Sequence, residues 1–600
     1  MIHCWLQKYL HEIIDKLYPG SRQRLAQKQS TFSRQEKALW AANIQQPKFS
    51  DHGDYATNAA LELAAVLHQP PRDIAHAIAQ VLKQHDASIA NVAVAGAGFV
   101  NIHITPILLS KGACQALQQE HNFGRGPQNT CNVLLEFVST NPTGPLHLGH
   151  ARGAFVGDAL ARLLDFAGYN VSREYYINDT GGQIEQLARS IYAHYCQALH
   201  RPLPDPSQAY NGPDIQKLGG DIATREGTQW LNKESSEWLQ LFGQWGVKHS
   251  LASIQNTLRK ANIPFDRWFS ERSLHENGSL QRALEVYRQK GLLYEAQTTR
   301  QANSKKRRED SKAAQHAQQQ QGGTFLQTSS FGDEEDRIVL RADGSPAYFL
   351  ADLAYHADKF ARGFHRLINV FGADHVGHVN RLKAGLAAMG LPQQALQCVL
   401  VHMVRLVRQG QQARFSKREG NVYLLDDLLD DIGIDAARFA FLMRTPESPF
   451  DLDVDLLCQQ AMDNPVFYVQ YGHARMATLL QRAEQEGLQI DDLHQLSAEV
   501  WLKLALPEER ELLKAALALP HVIQQAAAAT RPHRVLHYAY GLVEQFHSYF
   551  TKYRSSERIL SEDRELSQAR VALVRVVKLA LSNSLGMLGI HAPAHMLPKT

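Results

Sequence analysis

The chain has 600 residues, 44% of them hydrophobic and 20% charged, with a formal net charge of +3. That length and composition describe a soluble globular protein of several domains, and the nearly balanced charge makes no case by itself for a nucleic-acid partner. Six scattered cysteines without a C-x-x-C spacing argue against a disulfide framework or zinc ribbon; with no signal-peptide pattern and no apolar run long enough for a bilayer, a cytoplasmic protein with no membrane partner is expected.

Residues 1–110 read as a small α+β domain, with helical patterns near 4–17, 57–67 and 72–84 and a strand-like alternation over 99–104. The rest of the chain is organised around the stretch that follows. An apolar run of strand length, 133–138, leads through the turn-rich S-T-N-P-T-G-P at 139–145 into His147-Leu148-Gly149-His150. A helix continues from there, its apolar positions Leu148, Ala151, Phe155, Ala159, Leu163 and Phe166 keeping helical spacing up to a stop at Gly168. A helix N-terminus after a strand and a loop attracts anions through its unpaired N–H groups and its dipole. His147 and His150 share a side of the first turn and can donate outward, while Gly149 lets a flat group approach the backbone. The chemistry suggested is phosphate binding beside an adenine. No G-x-x-x-x-G-K-[ST] occurs, and no third ligand nearby makes the pair a metal site. Taken alone, the two histidines read more readily as a solvated or core pair.

The next strand of this α/β half ends in Asn178 and Asp179, where open parallel sheets bind ligands. From about 186 to 295 the pattern is mostly helical, an insertion between sheet halves. The stretch 298–323 is polar, basic and Gln-rich; a flexible surface loop is the default reading, an RNA-contacting arm the alternative, and it carries no assigned chemistry. The α/β pattern resumes at 331. Tyr348 and Asp352, at i and i+4 on a helix opening at Ala347, offer a hydroxyl and a carboxylate on one face, although an ordinary surface pair would look the same. A buried strand at 366–371 delivers Gly372, Asp374, His375 and His378 at its carboxyl end. The basic run R-F-S-K-R-E-G-N at 414–421 places Ser416 and Lys417 in a loop suited to a charge brought in transiently, or simply to solvation. From 457 onward the chain reads as all helix.

His-Leu-Gly-His after a strand and a Pro/Gly loop resembles the H-I-G-H signature of class I aminoacyl-tRNA synthetases. The wider run E-F-V-S-T-N-P-T-G-P-L-H-L-G-H-A-R at 136–152 resembles the arginyl-tRNA synthetases in particular. The 414–421 loop is similar to that family's second signature, K-M-S-K-S. Arg414 and Phe415 stand for its first Lys and Met, Arg418 stands for its last Ser, and its second lysine is kept as Lys417. Two signatures in order on opposite sheet halves are far more specific than either alone. With Gly372-Ala373-Asp374-His375 and N-P-V-F-Y-V-Q-Y at 464–471, the likeness covers nearly the whole chain.

The resemblance implies an α/β, Rossmann-like class I catalytic domain over 111–456, holding the helical insertion and the 298–323 loop. It adds an N-terminal α+β domain over 1–110 and a C-terminal all-α anticodon-binding bundle over 457–600. The segment 53–58 resembles one in the family's N-terminal domain, which contacts the tRNA; a packing domain with a helix capped at Asn58 accounts for it equally well. The implied reaction joins L-arginine to tRNA through an arginyl-adenylate, with ATP as substrate and Mg2+ carried with it. His147, Gly149, His150, Gly372, Asp374, His375, Ser416 and Lys417 would meet ATP, with His147, His150 and Lys417 catalytic. Glu136, Asn141, Glu271, Tyr348 and Asp352 would hold arginine; His378 lies near a further contact whose register the sequence leaves open. Tyr468, Gln470, Tyr471 and Arg475 would meet tRNA. Arg531, Arg534, Tyr538, Lys552, Tyr553 and Arg554 interleave cations with aromatics as single-stranded loop recognition requires, although interior packing is the commoner fate of such tyrosines. No metal ligand is assigned, and a monomer is expected. The rivals are a class I synthetase for another amino acid and a catalytically silent RNA-binding relative; intact His147, His150 and Lys417 count against the latter.

Overall fold

A computed structural model describes residues 2–29, 40–47, 52–85, 87–202, 210, 212–296, 322–409, 411–412 and 423–596. They form two compact units, Gln128–Gln459 and a second made of Met1–Pro127 with Gln460–Thr600.

The first unit is built on five strands: β1 (Asn132–Glu136), β2 (Asn170–Ile177), β3 (Arg267–Ser270), β4 (Arg366–Gly372) and β5 (Leu396–Val401). All neighbours pair in parallel, in the order β5-β4-β1-β2-β3. Consecutive buried residues in β1 and β4, such as Val133, Leu134 and Leu135, are what a sheet covered on both faces requires. The strand order reverses between β1 and β4, and open parallel sheets bind ligands at the carboxyl ends beside such a reversal. Topology alone therefore brings the loop after β1, with both histidines, next to the residues that follow β4.

Helix α1 (Leu148–Phe166) runs back along β1 and turns at Gly168, whose φ is +97°. It packs closely on the end of that strand, since a Cβ at Gly157 would lie 2.3 Å from the Phe137 ring. Gly157→Ala is expected to destabilise the fold by about 1–3 kcal/mol through overpacking, read as a lowered thermal midpoint.

The mostly helical stretch expected over about 186–295 does contain helices Gly182–Ala198, Pro213–Glu226 and Ser235–Lys260, around a core of Tyr195, Trp238 and Phe242. It also contains β3, the edge strand of the main sheet, which the sequence reading passed over. Arg267-Trp268-Phe269-Ser270 is only four residues long, and Phe269 alone is buried, so neither a run nor an alternation marks it. A three-stranded antiparallel sheet, Leu293–Ala296, Gly323–Leu326 and Arg337–Arg341, precedes helix α2 (Tyr348–Ala361). Of the stretch 298–323, only Gly322 and Gly323 fall among the described residues.

In the second unit, a four-stranded antiparallel sheet packs with helices Ile2–Leu17, Ala59–Leu67 and Pro71–His85. The long helices Pro465–Gln485, Pro507–Leu517, His533–Tyr553 and Arg564–Met587 belong to the same unit. Asp54 joins the two parts. It is 7% exposed, accepts from the Ile104 N–H at 2.8 Å and pairs with Lys514 at 2.9 Å and Arg510 at 3.0 Å. Those three contacts hold its carboxyl below its ordinary range despite burial. Asn58 precedes its helix but makes no cap bond with its side chain. Among the described residues no helix is long and apolar enough to cross a membrane, and all six cysteines are free thiols.

Candidate active site

The chain leaves β1 abruptly. Val138 and Ser139 have φ of +67° and +40°, and a β-branched residue in that region stores about 1–3 kcal/mol of strain unless its surroundings hold it. The Tyr175 hydroxyl does so, meeting the Thr140 N–H (3.1 Å), hydroxyl (2.9 Å) and carbonyl (3.0 Å), while Ser139 Oγ accepts from the Tyr176 N–H at 3.1 Å. The strained turn aims the following residues at the start of α1.

His147 is the N-cap of α1, its Nδ1 accepting from the Gly149 N–H at 3.1 Å; His150 Nδ1 accepts in turn from the His147 N–H at 3.2 Å. The rings lie 3.8 Å apart between centroids. An accepting Nδ1 places the proton of a neutral imidazole on Nε2, the atom that donates to a phosphate oxygen where it is reachable; the Nε2 of His147 is buried in this structure. Gly149 is needed for a second reason, since a Cβ there would come 2.9 Å from His147 Cε1. The chain emerging from 413–422 is bonded to this segment: the Leu148 N–H donates to the Tyr423 carbonyl and the Leu425 N–H to the Leu146 carbonyl, both at 3.0 Å. Ser416 and Lys417 themselves lie outside the described residues.

At the end of β4 and just beyond it, Gly372, Asp374 and His375 are exposed, and Asp374 Oδ1 folds back to within 2.5 Å of where a Cβ on Gly372 would stand. His378, in the first turn of helix α3 (Val376–Met389), reaches Asp352 of α2 with Nε2–Oδ2 at 3.3 Å. Tyr348 is 63% exposed. Its hydroxyl lies over Gly181, 3.3 Å from a Cβ built there.

Glu271 follows β3 directly and is 5% exposed, its Oε1 accepting from the Thr180 hydroxyl at 2.9 Å. With its amide nitrogen turned toward Glu271, Asn178 donates to Oε2 at 3.0 Å. Burial pushes the Glu271 carboxyl up, the Asp352 charge adds to that, and donors from Thr180 and Tyr176 oppose it. The Tyr176 phenol is raised by burial and by both carboxylates. Among the described residues neither Glu271 nor Asp352 is ion-paired with a lysine or arginine; each faces a histidine, His275 at 3.9 Å and His378 at 3.3 Å. Two carboxylates and a phenol, with no lysine or arginine paired to them among the described residues, are the chemistry that a cationic, forked ligand requires.

Residues 6–104 match the family model for the arginyl tRNA synthetase N terminal domain, 113–441 that for the class I (R) tRNA synthetase catalytic domain, and 469–596 that for the DALR anticodon binding domain. An arginine–tRNA ligase of Geobacillus thermodenitrificans is 39% identical over 565 residues, 92% of this chain and 94% of its own. The Bacillus subtilis arginine–tRNA ligase is 38% identical over 562 residues, with the same coverage. The chain belongs to the arginyl-tRNA synthetases. The Thermus thermophilus arginyl-tRNA synthetase shares the fold, covering 99% of this chain and 100% of its own at a TM-score of 0.73 and 20% identity.

For an arginyl-tRNA synthetase, the remaining expected site residues are placed unevenly. Asn141 is exposed in the loop after β1. Glu136 is 6% exposed, and its Oε2 pairs with Lys359 Nζ at 2.6 Å. Tyr468 packs on Tyr540 and His547 at 5.3 and 4.9 Å, Gln470 Nε2 donates to the His591 carbonyl at 2.9 Å, and Arg475 donates to the Tyr471 hydroxyl at 2.8 Å. The Tyr538 hydroxyl donates to the Ala515 and Ala516 carbonyls, a packing role, while Arg534, Lys552 and Arg554 are exposed. The sequence reading gave no role to Tyr176, Thr180 or His275. It quoted Arg152 only as the end of a motif, yet this 1% exposed guanidinium ties α1 to the carbonyls of His402 (3.1 Å), Thr445 (2.8 Å) and Ser448 (2.7 Å).

Proposed function

We propose the following division of labour for the family's reaction, in which arginine, ATP and tRNA give arginyl-tRNA, AMP and pyrophosphate. An arginine carboxylate oxygen attacks the α-phosphorus in line, and the bond to the bridging oxygen breaks as pyrophosphate leaves. No covalent enzyme intermediate is needed, so position and electrostatics carry the rate. His147 and His150 donate from Nε2 to phosphate oxygens where charge builds. Gly372 and Asp374 meet the ribose with His375 beside them, a carboxylate accepting from hydroxyls as in dinucleotide folds. Ser416 and Lys417 meet the outer phosphates. Five residues, and so six residue-to-residue steps, separate Lys417 from Tyr423, a reach of at most about 22 Å from the segment bonded to Leu148. The terminal adenosine of tRNA then takes the acyl group at its 2′-hydroxyl, releasing AMP.

Glu271 and Asp352 take the guanidinium with Tyr348 alongside; His378 steadies Asp352, Asn141 receives the α-amino end, and Glu136 contributes charge from the interior. Tyr468, Gln470, Tyr471 and Arg475 lie on the tRNA-binding face of the 457–600 bundle, and 1–110 supplies a further tRNA contact. Among the described residues no three His, Cys, Asp or Glu side chains are grouped to hold a metal ion, so Mg2+ would arrive with the triphosphate. A cytoplasmic monomer completes the proposal.

The observation that carries this reading is the pair of carboxylates, with no lysine or arginine ion pair among the described residues, at the carboxyl edge of a sheet whose reversal point holds the histidines. ATP–pyrophosphate exchange with arginine, lysine, glutamate and cysteine, each with and without tRNA, tests it. Exchange with arginine alone of the four is expected, and no exchange with arginine under either condition would reject it.

A further inference from the structure

We propose that Thr180 and Asn178 are positioning residues that set the guanidinium selectivity of the pocket by holding the Glu271 carboxylate aimed and ionised. The proposal rests on the arginine pocket described above. Glu271 is fixed at both ends: its N–H donates to the Ile177 carbonyl at 3.0 Å, and its two oxygens receive Thr180 Oγ1 (2.9 Å) and Asn178 Nδ2 (3.0 Å). Both donors come from the short turn between β2 and the helix that starts at Gly182. Asn178 also donates to the Thr180 carbonyl at 3.3 Å, which stiffens that turn.

The chemistry of these donors matters more than their number. A buried carboxylate must be hydrogen-bonded to stay charged. A lysine or arginine partner would do so but would compete with the guanidinium for the same oxygens. A hydroxyl and an amide satisfy the oxygens and leave the negative charge uncompensated for the ligand. Of about four lone-pair positions on a carboxylate, Thr180, Asn178 and the Tyr176 hydroxyl use three. The position left over fixes one N–H of the substrate, and Asp352 meets others.

The groups facing Glu271 are Asp352 from α2, Tyr176 from β2 and His275 from the helix Arg272–Glu276, with His378 behind Asp352. Burial and Asp352 already push the Glu271 carboxyl up, and Thr180 pulls it down. Removing the Thr180 hydroxyl raises it further. A raised carboxyl is lost as a charge when pH falls through its new value, so arginine binding should weaken at a higher pH on acidification and recover as pH rises.

The test compares wild type, Thr180→Val, Thr180→Ser and Asn178→Ala in full-length protein, with arginine and ATP KM measured across the whole pH range in which the enzyme is stable, acid limb included. At neutral pH Thr180→Val should raise the arginine KM about 10- to 100-fold, the loss expected for a hydrogen bond to a charged group, and leave the ATP KM unchanged. The defect should shrink as pH rises, Thr180→Ser should restore the wild-type value, and discrimination against citrulline, the uncharged isostere, should fall. A defect that is the same at every pH, a parallel rise in the ATP KM, or no defect would overturn the proposal. If Thr180→Val does not fold, Asn178→Ala removes the other donor and is read identically. Failure of the wild type to use arginine would instead reject the pocket itself.

Discussion

His150→Ala is expected to lower the rate of adenylate formation by about 100- to 1,000-fold, the loss typical of removing one preorganised donor from developing transition-state charge. His150 Nδ1 is occupied by the His147 N–H at 3.2 Å, so the proton of the neutral ring sits on Nε2. That donor meets little charge in bound ATP compared with the pentavalent transition state, so kcat should fall while the ATP and arginine KM values stay within about threefold. His147 is a less clean target. It caps α1 through the Gly149 N–H, and losing that cap would add about 1 kcal/mol of instability to the kinetic defect. Single-turnover adenylate formation separates chemistry from product release. An unchanged rate in His150→Ala, or a loss confined to the ATP KM, would remove the imidazole from the transition state.

The features legible in the sequence are those that local chemistry specifies. The strand, loop and helix from 132 to 166 each carry their own pattern, and the Tyr348/Asp352 pair needs only the i, i+4 geometry of one helix. The reading of 133–138 as strand was too long by two residues, because nothing in an apolar run announces that Phe137 turns in toward Gly157 or that Val138 adopts a positive φ. The resemblance supplies Glu271 and His378 as candidates, but the hydrogen bonds that hold the pocket together are not legible in sequence, for a different reason. Glu271, Thr180, Asn178 and His378 come from separate segments that meet only because β2, β3 and β4 end at one edge of the sheet. Neither helical nor strand periodicity encodes such a meeting. The same holds for Asp54, whose partners Arg510 and Lys514 lie on the far side of the whole sheet unit in sequence. Glu136 is a similar case: its ion pair with Lys359, 223 residues away, is not written in any local pattern.

Asp352→Ala should reduce kcat/KM for arginine by about 30- to 150-fold and leave the ATP KM within about twofold. Removing one partner of a desolvated charge pair costs about 2–5 kcal/mol, and the lower end applies because the Asp352 side chain is 33% exposed. Asp352→Asn, which keeps the shape and one acceptor, should fall between the two and thereby separate charge from hydrogen bonding. A pH signature accompanies the loss. Asp352 is one of the groups that push the Glu271 carboxyl up. Without it, that carboxyl moves back toward its ordinary range and stays ionised to lower pH. Wild-type arginine affinity should therefore begin to fall, on acidification, at a higher pH than the residual affinity of Asp352→Ala. Arginine binding measured by titration calorimetry across the acid limb would show the two curves displaced in that order. Coincident curves would mean that the two carboxylates do not share one ligand, and equal losses for arginine and ATP would take Asp352 out of the arginine pocket altogether.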